Sequence, residues 1–144
     1  MSPSFFSKGY IEAAKNIFEL VQMGKAEIVR EELEDHGSSF KSLLLKMDNA
    51  NFLLLSEGAD QLGTLAVAIP QPEKMIGPST SSVLLGERNM VTARILAEQL
   101  AGLTRKISLV SLYVKSLSER DAGAIMLRLL RKTLKSEEGG THES

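Results

Sequence analysis

Few residues in this chain of 144 could do chemistry, and their spacing speaks against a reaction centre. Histidine occurs twice, His36 in a turn-like stretch and His142 near the C-terminus, with no second histidine at ligand spacing and no cysteine anywhere. A metal site would therefore rest on carboxylates alone. Ser79, Thr80, Ser81 and Ser82 form a hydroxyl run, but a nucleophilic serine needs a positioned base and an oxyanion hole, and no G-x-S-x-G elbow surrounds them. Glu31, Glu32, Glu34 and Asp35 could pair as acid and base. Such a run ordinarily makes a solvated face, and nothing nearby suggests the apolar pocket that raises one carboxyl. Gly58, Gly63, Gly77 and Gly86 are scattered and lead into no Lys-Ser or Lys-Thr, so a phosphate-cradling loop is not expected. The expectation is a protein with no catalytic residue, no metal and no cofactor, and so not an enzyme.

Two features suit recognition better than reaction. Arg128, Arg131, Lys132 and Lys135 form the densest positive cluster, for which compensation of a helix's negative C-terminal end and docking of a protein are both open readings. The segment Pro70–Ser82 holds Pro70, Pro72, Gly77, Pro78 and four consecutive hydroxyl residues, and reads as an exposed loop, long for a compact domain. Met75 and Ile76 on that loop either tuck inward or meet a partner. The candidate partner-binding residues are thus Pro72, Met75, Ile76, Arg128, Arg131 and Lys132.

The elements that must position these residues follow from apolar periodicity. Tyr10, Ala14, Ile17, Phe18 and Val21 recur at helical steps over Lys8–Met23, with Gly24 able to close the helix. Lys25–Asp35 is ambiguous between helix and a poorly alternating strand, and is assigned as strand. Leu43, Leu45 and Met47 alternate with Ser42, Leu44 and Lys46 as in a half-buried strand. Phe52–Ser56 and Leu65–Ile69 are short apolar runs separated by turns, so three short strands in succession suggest an antiparallel meander. Asn89 could cap a helix whose Ala93, Leu96, Ala97, Leu100 and Leu103 share a face, with Arg94 and Glu98 outside it. Ile107–Val114 reads as a buried strand. Ser118 with Asp121 resembles a capping box, opening a helix with the stripe Ala122, Ile125, Met126, Leu129 and Leu130. The expected class is α+β: an antiparallel β-meander followed by a β-α-β-α-type C-terminal half, with an extra N-terminal helix.

The chain suits one domain. A division into a helical extension over 1–24, a domain over 25–136 and a disordered tail over 137–144 is expected. With 17 Lys and Arg against 18 Asp and Glu the formal charge is −1, giving no strong field for nucleic acid or anionic lipid. No stretch approaches the roughly 20 apolar residues of a membrane helix. The absence of cysteine fits a reducing compartment, and a cytoplasmic protein that binds neither nucleic acid nor membrane is expected.

Leu65-Ala66-Val67-Ala68-Ile69, followed by Ser79-Thr80-Ser81-Ser82-Val83-Leu84-Leu85-Gly86, resembles segments that the fourth proteasome assembly chaperone carries in the same order. The Leu-Leu-Gly step is also similar in the third. Leu96-Ala97 and Leu100-Ala101, then Thr104-Arg105-Lys106 and Val110-Ser111, again resemble the fourth. The resemblance covers roughly Phe40–Lys135; the helix over Lys8–Met23 and the first strand depart from it. It implies a non-enzymatic chaperone that binds α-type subunits during assembly of the 20S proteasome α-ring. One chain similar to both partners of a eukaryotic heterodimer implies a form that pairs with itself, as a homodimer or a larger homo-oligomer, and would fit an archaeal homologue. The alternative is a roadblock-like dimeric scaffold for small GTPases or motor complexes. Domains of that kind place a helix between their second and third strands.

Overall fold

The computed structural model of the protein describes residues 9–16, 26–72, 76–77 and 79–140. Residues 9–16 are helical (α1), and all eight are exposed. The rest of the expected Lys8–Met23 helix, and Gly24, lie outside the described residues. Six strands and two helices follow: β1 (Glu27–Asp35), β2 (Ser38–Lys46), β3 (Ala50–Glu57), β4 (Thr64–Ile69), β5 (Thr80–Leu85), α2 (Met90–Thr104), β6 (Ile107–Tyr113) and α3 (Glu119–Gly140). The class is α+β, as the periodicity implies. The ambiguous Lys25–Asp35 stretch is a strand despite its glutamates. It closes a hairpin on β2 through His36 and Gly37, both at positive φ (51° and 73°), the twist that a two-residue hairpin turn requires.

The six strands form one sheet in the order β1-β2-β3-β6-β4-β5. β1, β2 and β3 are a true antiparallel meander, but β4 does not continue it. Instead β6 inserts between β3 and β4, parallel to the former and antiparallel to the latter. A parallel neighbour needs a crossover connection, and β4, β5 and α2 together supply it. The loop expected over Pro70–Ser82 is also shorter at its end, because Thr80, Ser81 and Ser82 pair with Ile69, Ala68 and Val67.

Phe40, Leu44, Leu53, Leu55, Val110 and Leu112 point from the sheet into a core closed by Leu96 and Leu100 of α2 and by Met126, Leu129 and Leu130 of α3. This reverses the expectation for β2: Phe40, Ser42 and Leu44 face the helices, while Leu43 and Leu45 face away. Both parities of that strand are rich in leucine, so alternation alone cannot choose between them. α3 behaves as its stripe implies, with Ala122, Ile125, Met126, Leu129 and Leu130 all buried. The Asp121 N–H donates to Ser118 Oγ at 3.2 Å, the capping bond its first turn calls for. α2 differs in two places. Asn89 precedes it in the left-handed region (φ 59°) and makes no side-chain cap, and Leu103 is exposed. The start of α2 is served from α3 instead, the Thr92 N–H lying 3.4 Å from Glu119 Oε1.

Candidate functional site

Among the described residues, helices pack on one face of the sheet only. Alternation on each strand sends the second set of apolar side chains to the opposite face, where Leu43, Leu45, Phe52, Leu54, Val67 and Leu109 are half-exposed. They are neighbours by register: Leu43 lies opposite Leu54, Leu45 opposite Phe52, and Leu109 opposite both Phe52 and Val67. The result is a continuous apolar surface across the middle of the sheet, bordered on β1 by Arg30, Glu32 and Glu34. No described element packs on it. Soluble domains seldom leave so large a patch without a use for it.

A second surface lies at the β1 edge. Arg128, Arg131, Lys132 and Lys135 come from successive turns of one side of α3, and with Leu33 of β1 and Leu134 they line an open groove of about 610 Å³. Arg128 Nη1 reaches Asp35 Oδ2 at 2.6 Å. Lys132 Nζ donates to the Glu32 carbonyl at 2.7 Å and lies 3.7 Å from Glu31 Oε1. The Arg128 guanidinium, and next to it the His36 ring, hold the Asp35 carboxyl below the usual carboxylate range. The acidic run is thereby divided by strand alternation: Glu31 and Asp35 turn towards α3, Glu32 and Glu34 towards the open face. It forms no acid pair, and among the described residues no three potential ligands cluster for a metal.

The structure therefore unites Arg128, Arg131 and Lys132 in one groove, but it separates them from the loop candidates. Pro72 is exposed and Ile76 is fully so, at 103% of its reference area; Met75 lies outside the described residues. That loop joins β4 to β5 at the far side of the sheet from β1 and α3. The Gln71 carbonyl accepts from Arg105 Nη2 at 3.1 Å, tying the loop's start to the end of α2. A half-covered meander with two helices implies one apolar surface open to a second copy, but sequence reasoning singled out neither the residues of that face nor Leu33 and Leu134 as binding residues. The signal for the face was present in leucines at both parities of β2 and β3, which a strand with one solvated side does not need.

Comparison with known proteins places the fold. No family model and no curated protein matches the chain. The structure resembles a chain in the crystal structure of a novel chaperone complex for yeast 20S proteasome assembly, with a TM-score of 0.58 and 14% sequence identity. The match covers 79% of this chain and 96% of that one. At this identity the likeness is one of fold. None of the described helices is long and apolar enough to cross a membrane.

Proposed function

We propose that this protein is a non-enzymatic chaperone of 20S proteasome α-ring assembly that binds α-type subunits as a homodimer in the cytoplasm, in the manner of the third and fourth assembly chaperones. The observation that carries the reading is an apolar sheet face that none of the described elements covers, in a fold shared with a chain of a proteasome assembly chaperone complex. Six strands about 4.8 Å apart and about 20 Å long present roughly 600 Å² per copy. Two copies joined face to face would bury roughly 1,200 Å², the lower end of stable interfaces, and closed two-fold pairs are the commonest arrangement. Such a dimer is a rigid platform. It acts by holding a subunit in a pose that favours correct neighbours over wrong ones, which requires binding energy and no chemical step.

The element order speaks against the roadblock-like alternative. That class needs a helix between its second and third strands, whereas only the turn of residues 47–49 separates β2 from β3 here. The test is to mix the purified chain with recombinant α-type subunits and follow the mixture by size-exclusion chromatography with light scattering, without nucleotide. The expected outcome is a complex containing two copies of the chain and an α-type subunit. Absence of any complex at tens of micromolar, far above the concentrations at which specific assemblies form, would overturn the reading.

A further inference from the structure

The four clustered cations in the second half of α3 have no account in helix electrostatics. A positive side chain compensates the macrodipole only within the last turn, and α3 runs on to Gly140 with no basic residue there. Arg128, Arg131, Lys132 and Lys135 sit in the second half of the helix but ahead of that turn, at spacings of three, four and seven that set them on one side. Ties to β1 explain two of them: Arg128 pairs with Asp35, and Lys132 with Glu31 and the Glu32 carbonyl. Arg131 and Lys135 have no partner among the described residues, and both are exposed. They stand one turn apart, where like charges repel. Burying apolar surface under long stems would not call for charge, since a neutral side chain could do the same. Beside them Leu33 and Leu134, both partly buried against the core, form an apolar floor.

We infer that this groove receives an acidic segment of a protein partner, with carboxylates on Arg131 and Lys135 and an apolar side chain seated between Leu33 and Leu134. Charge complementarity selects the carboxylates, and Asp35 on Arg128 already displays the kind of pairing the groove makes within the chain. The apolar floor selects a protein over a phosphate backbone, which has no side chain to place there. An arginine can meet a carboxylate through two parallel bonds, so Arg131 sets orientation while Lys135 adds a point charge. The inference rests on the chaperone reading only for which protein carries the segment.

The probe is a fluorescein-labelled peptide of sequence Gly-Glu-Glu-Leu-Glu-Glu-Leu-Gly, titrated with the full chain and followed by anisotropy. The expected result is saturable binding that weakens at least about tenfold when the glutamates become glutamines and falls as salt is raised. The double variant R131E/K135E, at two exposed positions, should lose at least about tenfold while keeping its thermal transition; R131Q/K135Q should lose less. Equal binding by wild type and R131E/K135E, or no binding up to about 1 mM peptide, would overturn the inference. So would tighter binding of a thymidine oligonucleotide than of the peptide, which would assign the groove to nucleic acid. If the peptide binds but α-type subunits do not, the groove stands and the proteasome reading falls; the converse outcome removes the groove alone.

Discussion

Glu57 is the residue whose role is least visible in the sequence and clearest in the structure. It ends β3, is 6% exposed, and accepts from the backbone N–H groups of Lys115 and Ser116 at 2.9 and 3.2 Å and from Ser116 Oγ at 2.7 Å. Those bonds hold the turn that carries the chain from β6 into α3, and hence the angle at which the groove helix leaves the sheet. Burial pushes the carboxyl up, but the Ser116 hydroxyl and the two backbone donors outweigh it, so its pKa lies below the ordinary glutamate value. A carboxylate depressed in the folded state stabilises above its unfolded pKa, about 4.3, and that contribution is lost as pH falls through the lower, folded value. Asp35 acts in the same direction. Urea melts between pH 7 and pH 3 should therefore show stability falling with acidity, with a shallower fall in Glu57→Gln. Glu57→Ala, which strands the donors, should cost about 3 kcal/mol at pH 7.

Between elements, the backbone entering β4 runs so close to the end of β6 that no side chain fits between them. A Cβ on Gly63 would lie 2.1 Å from the Leu112 carbonyl oxygen and 2.7 Å from Tyr113 Cα, and backbone atoms cannot swing away as a side-chain tip can. The Gly63 N–H also donates to Ser111 Oγ at 2.8 Å. Gly63 is thus what lets β4 close onto the inserted strand. Gly63→Ala should lower stability by about 2–3 kcal/mol, read as a drop in the thermal midpoint of roughly 5–10 °C. Gly37→Ala offers a comparison: its strain comes from positive φ alone, since nothing lies within 4 Å of an added Cβ. Its loss should be smaller, about 1 kcal/mol, in the same melting experiment.

For the whole molecule, the decisive feature is that α2 and α3 pack on the same face of the sheet and no other described element packs on the opposite one. Leu54 and Val67 lie near the middle of the other face, on the two strands that flank β6. Both are half-exposed, so a charged head placed there can reach water in a single copy but not across a closed sandwich. The double variant Leu54→Glu, Val67→Glu should have the light-scattering mass of one chain at micromolar concentration, where the unaltered protein has that of two. Its helical circular dichroism should be unchanged. A variant that remains dimeric would move the self-association surface off the sheet, with the uncharged edge strand β5 and the exposed Val91 and Ile95 of α2 next to be tried.

The sequence by itself determined what depends on neighbours along the chain. The stripe and cap of α3, the positions of β2, β3, β4 and β6, the turn at His36-Gly37 and the class α+β all follow from periodicity and turn chemistry over a few residues. Only the tertiary structure decided what depends on distant segments meeting. Leucines at both parities of β2 could face either way until α2 and α3 covered the Phe40 and Leu44 side. β4 could extend the meander until β6 took its place beside β3. Asn89 could cap α2 until the backbone turned left-handed there and Glu119 came across from α3. The cations of α3 could belong to a helix end until the helix ran past them to Gly140. For β2, β4 and Asn89 the local pattern allowed two outcomes, and a contact between segments far apart in the chain chose between them.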